Sequence, residues 1–238
     1  MSTYHMTVKS GKPGKAAPNS QYISRQGKFG KGPKAEQLVY KCHGNLPDWA
    51  EDNPLLFWKM GDRFERKNAA VYKELELALP NELTTRQHVN VVKELIAMEL
   101  AQKSFQCAIH TTVAGIGGVA QPHVHIMFSD RLPDRHQRPP EQHFKRFNST
   151  HPGKGGCRKD SGGLEPAELR EDMIELRKSW ADLLNKHLEA EGYSARVDHR
   201  SNSERGITRP PERHLGQAAV RNMTAALRES FNASRERP

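Results

Sequence analysis

The clearest periodicity in the chain is the alternation of Gln121-Pro-His-Val-His-Ile-Met-Phe128. In an extended segment His123 and His125 fall on one face, and Val124 and Ile126 on the other. Phe105-Gln-Cys-Ala-Ile-His110 reads as a second strand, and Gly115-Ile-Gly-Gly118 as the connection that folds the two side by side. His110 is thereby brought to the edge that carries His123 and His125. Val71 to Pro80 also alternates, with Tyr72, Glu74 and Glu76 on one face and Lys73, Leu75, Leu77 and Leu79 on the other. The β-branched and aromatic content of Thr3 to Val8 predicts a short strand, and Tyr193 to Arg200 reads as a further one.

Helical spacing dominates elsewhere. Thr84 with Gln87 three residues on forms a capping box, and Val89, Val92, Ile96 and Leu100 give its helix an apolar stripe. Leu169, Met173, Leu176, Trp180, Leu183, Leu184 and Leu188 repeat at helical spacing from Pro166 to Glu191, which predicts a long core-packing helix closed by Gly192. Ser20 to Lys28 reads as one or two helical turns ended at Gly27, after a flexible basic loop from Ser10 to Asn19. Pro47, Trp49, Phe57 and Trp58 are expected to pin the Leu46–Asn68 stretch to the sheet as a helical or irregular layer. Arg131 to Arg138 is charged and proline-broken, hence a loop. A short helix is expected within Ala218–Phe231. There are no internal repeats. Together these elements predict an α+β fold: a central, mainly antiparallel sheet of about five strands flanked by helices, with a helical C-terminal portion. Residues 1–200 read as one domain and 201–238 as a polar, Arg/Glu-rich extension, partly helical or flexible, after which more protein is expected in the natural chain.

Composition narrows the function. Hydrophobic residues make up 35% of the 238 residues and the mean hydropathy is −0.81, so extended polar surface is expected. A net charge of +9 and a pI near 9.5 point to a polyanion, most simply nucleic acid. From Met1 to Lys41 eight Lys or Arg face a single acid, Glu36, a run that by itself also suits a solvated surface. The three cysteines, Cys42, Cys107 and Cys157, form no C-x-x-C pair and fit a reducing cytosol. No apolar run reaches the length of a membrane span and no signal core follows the start, so a soluble cytoplasmic protein is expected.

The chemistry centres on the histidines. An H-x-H pair on a strand is as compatible with structural histidines as with a metal site. Three imidazoles on adjacent strands with two carboxylates on a third favour a divalent cation, of which zinc, manganese, iron and nickel suit imidazole, with open positions for a substrate oxygen. In a basic protein that oxygen is a phosphate's. Phe144-Lys-Arg-Phe147-Asn and Lys154-Gly-Gly-Cys-Arg-Lys159 interleave aromatics, glycines and bases, a composition suited to stacking bases and meeting phosphates. The paired carboxylates Glu74 and Glu76 are otherwise ordinary filler on a wet sheet face.

The motifs Tyr4-His-Met-Thr-Val-Lys-Ser-Gly11, Gln21-Tyr22-Ile-Ser-Arg25-Gln-Gly-Lys28, Lys73-Glu-Leu-Glu-Leu-Ala-Leu-Pro80, Ala108-Ile-His110, Pro122-His-Val-His125, Phe144-Lys-Arg-Phe-Asn148 and Asp198-His-Arg200 together resemble the MobA/MobL family of plasmid mobilisation relaxases, its IncQ-type branch especially, within the wider HUH endonucleases. The resemblance covers about the first 215 residues and implies a palm-like HUH sheet. It implies Tyr22 as a nucleophile that attacks a phosphodiester at the transfer origin, leaving a 5′-phosphotyrosyl link and a free 3′-OH. It implies His110, His123 and His125 as ligands of one divalent ion, manganese or magnesium by family pattern, although the ligand set alone favours zinc. Glu74 is implied as the base or as the residue that orients a ligand, with Glu76 its alternate, whereas Tyr4 reads as structural. The His110–His123 connection is longer than the compact glycine-rich loop usual in the family.

Arg25, Lys28, Lys31, Lys145, Arg146, Lys154 and Arg158, with Lys12 and Lys15, are the expected phosphate contacts. The implied partners are transfer-origin DNA as a single strand with an inverted-repeat hairpin, accessory relaxosome proteins and a coupling protein. The implied setting is the bacterial cytoplasm, with passage into the recipient cell on the DNA. The C-terminal half is expected to help grip the inverted repeat. A rolling-circle replication nickase is the near alternative, disfavoured by the order of tyrosine before the histidine pair. The rival of another class is a non-catalytic, metal-stabilised single-stranded DNA-binding module.

Overall fold

The computed structural model describes residues 4–30, 37–113, 118–208 and 217–236. Lys31 and most of the glycine-rich connection before His123 lie outside them. In chain order the elements are β1 (Met6–Gly11), α1 (Ala16–Ile23), β2 (Gln37–Gly44), α2 (Pro54–Phe64), β3 (Tyr72–Ala78), α3 (Thr85–Glu99), β4 (Phe105–Val113), β5 (Ala120–Phe128), α4 (Pro140–His143), α5 (Pro166–Ala190), α6 (Gln217–Asn222) and α7 (Ala225–Glu236). The strands form one five-stranded sheet in the order β1-β3-β5-β4-β2, antiparallel throughout. The expected α+β class and antiparallel sheet are therefore observed.

Alternation decides what each face carries. Leu75 and Leu77 of β3, Cys107 and Ile109 of β4, and Val124 and Ile126 of β5 point to a core shared with α3 and the C-terminal half of α5, where Val91, Leu95, Trp180 and Leu184 are buried. On the opposite face Tyr72, Ala108 and Met127 pack against Ile23 of α1, Phe57 and Trp58 of α2, and Phe144. Glu74, Gln106, His110, His123 and His125 have the same parity as this second set. The sheet face that carries the candidate chemistry is thus the face covered by α1 and α2.

The capping box predicted at Thr84 is present: its hydroxyl accepts from the Gln87 backbone N–H, and the Gln87 side chain accepts from the Thr84 N–H at 2.7 Å. Four other expectations need correction. The stretch from Ser10 to Asn19 is not a flexible loop, because β1 runs to Gly11 and α1 starts at Ala16. Asp62, on α2, caps that helix from outside, accepting the N–H groups of Gly14, Ala16 and Ala17 at 2.7, 3.0 and 2.8 Å. These N–H groups have no partner within the helix, and no local residue signals the cap. The fifth strand is β2, not Tyr193–Arg200. A bulge between Leu38 and Tyr40 breaks the period of β2 and hides it from a search for alternation. The backbone N–H and C=O of Val197 are instead taken by the Asn185 side chain, at 2.8 and 2.9 Å, so this segment has no ladder to join.

The long helix packs into the core only in its C-terminal half. Trp180, Leu183, Leu184 and Leu188 are buried, whereas Leu169 and Ile174 are exposed. Lastly, Phe144 is fully buried among Phe57, Trp49 and His143 and is not available to stack on a base. The expected 131–138 loop is present, but it is held from inside by two buried arginines. Arg131 pairs with Glu65 at 2.8 Å and donates to the carbonyls of Phe144, Lys145 and Cys157. Arg138 pairs with Asp134 and donates to the carbonyls of Pro152 and Gly155. Removing one member of a buried ion pair strands the other. Glu65→Ala is accordingly expected to cost about 3 kcal/mol of unfolding free energy in a urea titration, the low end of the range because three carbonyls still solvate Arg131. A loss below about 1 kcal/mol would mean that the pair does not hold the loop.

Candidate metal and tyrosine site

The β4–β5 register sets His110 directly opposite His123, with His125 two residues further on the same face. The ring centroids lie 5.6 Å (His110–His123), 5.1 Å (His110–His125) and 5.2 Å (His123–His125) apart. One nitrogen from each ring lies within 4.8 Å of the other two, and this is the group among the described residues able to hold a metal ion.

Each imidazole is oriented from behind. His110 Nε2 donates to the Ile23 carbonyl at 2.7 Å, His123 Nδ1 to the Gln121 carbonyl at 3.0 Å, and His125 Nδ1 to Glu74 Oε1 at 2.6 Å. A carbonyl or carboxylate can only accept, so the proton sits on that nitrogen and the lone pair on the other. The lone pairs are thereby left on His110 Nδ1, where the Arg25 guanidinium donates at 3.3 Å, and on Nε2 of His123 and His125. His125 Nε2 is buried without a hydrogen-bond partner, an arrangement that a bound cation satisfies and that is otherwise costly. Burial also lowers the pKa values of His110 and His123 to about 4, which keeps both rings neutral, the form in which imidazole ligates. The donor set therefore fits a divalent metal.

Tyr22 stands over this group. Its half-buried ring, on α1, meets His125 edge-on at 5.9 Å and Phe29 at 5.6 Å, and the Arg25 guanidinium lies 4.5 Å from its centroid. Arg25 also reaches His110 Nδ1 at 3.3 Å. It does so from a left-handed backbone, with φ +52°, just past the end of α1. Tyr4 lies elsewhere: its hydroxyl donates to the Arg177 carbonyl of α5 at 2.9 Å, it packs on the opposite core, and burial raises its pKa to about 12.

The two carboxylates differ. Glu74 is buried with both oxygens engaged, Oε1 by His125 and Oε2 by the Asn19 side-chain amide at 2.8 Å. Glu76 faces Lys9. Burial alone would raise the Glu76 pKa, but the Lys9 hydrogen bond and the nearby His125, Lys9 and His123 outweigh it and hold the carboxyl below its ordinary value.

Of the expected phosphate contacts, Arg25 is in the site. Lys12, Lys15, Lys28, Lys145, Arg146, Lys154 and Arg158 are exposed, the last four on the segment anchored by Arg131 and Arg138. Four contributors were not read from the sequence: Asn19, Asp62, Gln106 and Lys9. Parity offered one signal, since Gln106 stands four residues before His110 on the same strand face.

The chain is 40% identical over 210 residues to the 43 kDa relaxation protein of Salmonella typhimurium, an alignment covering 88% of this chain and 56% of that protein. It is 36% identical over 230 residues to Mobilization protein A of Escherichia coli, covering 92% of this chain and 30% of that protein. The chain thus spans about half or less of the length of these relatives. A solved structure described as the molecular basis of vancomycin resistance transfer in Staphylococcus aureus superposes with a TM-score of 0.58 at 22% identity, covering 84% of this chain and 100% of the other, and so shares the fold. The MobA/MobL family model matches residues 21–225, a span that holds Tyr22, Glu74 and all three histidines, and the chain belongs to the MobA/MobL family.

Proposed function

We propose that this chain is the nicking and rejoining domain of a plasmid mobilisation relaxase. The observation that carries the reading is a tyrosine ring set edge-on against one of three imidazoles, each of which offers a ligand nitrogen within 4.8 Å of the others. In the reaction the Tyr22 phenol loses its proton and its oxygen attacks phosphorus. The bond to the 3′-oxygen breaks, and that oxygen takes up a proton, leaving a 5′-phosphotyrosyl adduct and a free 3′-OH. The phosphodiester is exchanged and not hydrolysed, so the reverse attack reseals the strand without ATP.

An unperturbed tyrosine has a pKa of about 10 and is a weak nucleophile at neutral pH. The Arg25 guanidinium lies beside the ring, 4.5 Å from its centroid. His110, His123 and His125 would hold the divalent ion, which when bound supplies Lewis-acid polarisation of the scissile phosphate. Manganese or magnesium is the ion the family pattern favours, and zinc the one the ligands favour. Of the two roles expected for Glu74, orienting His125 is the one its two engaged oxygens support. The test is incubation with a single-stranded transfer-origin oligonucleotide and manganese, followed by denaturing electrophoresis. An SDS-resistant protein–DNA adduct is expected, and a chain that binds the strand but never forms the adduct is a binding module.

The substrate is the origin DNA, as a single strand beside an inverted-repeat hairpin, and relaxosome proteins and a coupling protein are the proposed partners. No helix among the described residues is long and apolar enough to cross a membrane. Lys145, Arg146, Lys154 and Arg158, all exposed, are the proposed phosphate contacts of the strand. Each neutralised phosphate on single-stranded DNA contributes about 0.7 to the slope of log affinity against log salt. Replacing all four by alanine is expected to flatten that slope by about 3. An unchanged slope in a fluorescence-anisotropy titration would remove them from the interface.

A further inference from the structure

Beside the Asn19–Glu74 and His110–Ile23 hydrogen bonds, the tyrosine helix is fastened to the sheet by a side chain that neither coordinates a metal nor faces the substrate. Gln106 lies on β4, four residues before His110 and on the same face, and is buried with Ser20, Ser24 and Trp58. Its Oε1 accepts from Ser20 Oγ at 2.7 Å and from Trp58 Nε1 at 2.9 Å. Its Nε2 donates to Ser24 Oγ and, at 3.3 Å, to the Ser20 carbonyl. An indole N–H can only donate, so Trp58 fixes which end of the amide carries the oxygen, and all its bonding positions are assigned together. Ser20 and Ser24 flank Tyr22 at two residues on either side, whereas Trp58 belongs to α2.

We propose that Gln106 is a positioning residue for strand transfer, setting the register of α1 so that Tyr22 stands over the histidine group. The inference rests on the reading of Tyr22 as the nucleophile. One strand then supplies both a metal ligand and the amide that fixes the attacking group relative to it, so the distance between nucleophile and ion is set through a few bonds of rigid sheet. A single interior amide that meets a serine, a second serine and an indole at once has one geometry that satisfies all of them, whereas an apolar residue of similar size lets the helix slide. Misplacement of a reacting group by about 1 Å costs on the order of 100-fold in rate. Gln106 touches none of the reacting atoms and acts through the helix.

The experiment compares Gln106→Leu, the double variant Ser20→Ala/Ser24→Ala and Trp58→Phe in the full chain, each with 3-fluorotyrosine placed at position 22. Manganese affinity, oligonucleotide affinity, adduct rate and the manganese-induced broadening of the fluorine resonance are measured for each. The broadening falls with the sixth power of the metal–fluorine distance and does not depend on turnover. Gln106→Leu and the double serine variant are expected to slow adduct formation about 10–100-fold and to reduce the broadening, with metal and DNA affinities within about twofold of the parent. Trp58→Phe removes a Gln106 partner on the α2 side alone and is expected to keep both rate and broadening. Unchanged broadening and rate in Gln106→Leu, or an equal loss in Trp58→Phe at matched thermal stability, would overturn the assignment. Should Gln106→Leu not fold, the double serine variant decides by the same two readouts. Failure of the parent chain to form any adduct, with the broadening still dependent on Gln106, would count against the proposed reaction and not against the positioning role.

Discussion

Tyr22→Phe is expected to abolish the SDS-resistant adduct while leaving oligonucleotide and manganese binding within about twofold of the parent. Phenylalanine keeps the ring, and with it the edge contacts to Phe29 and His125 and the stacking under Arg25. What it removes is the one oxygen able to attack phosphorus. Loss of a covalent nucleophile is among the largest single-residue effects in enzymes, about 10⁶-fold in kcat for subtilisin. Tyr4 cannot replace it, being tied to the Arg177 carbonyl on the opposite face, so Tyr4→Phe is the control and is expected to keep the adduct. An adduct that survives in Tyr22→Phe would move the nucleophile elsewhere. An adduct lost together with DNA binding would indicate that the ring helps hold the strand, and the chemistry would then need a second nucleophile test.

The sequence made the two histidine-bearing strands legible because histidine alternates with apolar residues along His123-Val-His-Ile126 and the apolar Phe105, Cys107 and Ile109 share one parity. Parity put His123 with His125, and Glu74 with Glu76, on one face of their strands, and the sheet register brings both pairs and His110 to a common face. The resemblance, and not any periodicity, singled out Tyr22 among five tyrosines. What escaped notice is what depends on partners distant in sequence. The N-terminus of α1 is capped by Asp62, 45 or more residues away, so its start could not be read from the local chain. The bulge in β2 cancelled the signal of an edge strand. Phe144 sits among glycines and bases like a base-stacking residue, yet the aromatic layer of Trp49 and Phe57 buries it. In each case a tertiary contact overrode a pattern that local spacing supported.

His123→Ala is expected to reduce manganese affinity more than about 100-fold, and Glu74→Ala by about 10–100-fold, the usual cost of losing the partner that orients a ligand. His123 is the ligand to remove because its outer hydrogen bond goes to a backbone carbonyl. Truncating His125 would instead leave the buried Glu74 carboxylate facing Asn19 alone, mixing a folding defect with the loss of a ligand. Glu74→Gln is expected to lose least, since an amide oxygen can still accept from His125 Nδ1 while the Asn19 amide turns to receive the new N–H. The series also separates the two roles of Glu74, provided metal binding and adduct rate are measured on the same samples. As the residue that orients His125, Glu74 should affect adduct formation only through the metal, so saturating manganese should restore most of the rate in Glu74→Ala. As a base it should leave manganese affinity unchanged and lower the rate at every metal concentration. The two engaged oxygens of Glu74 predict the first pattern.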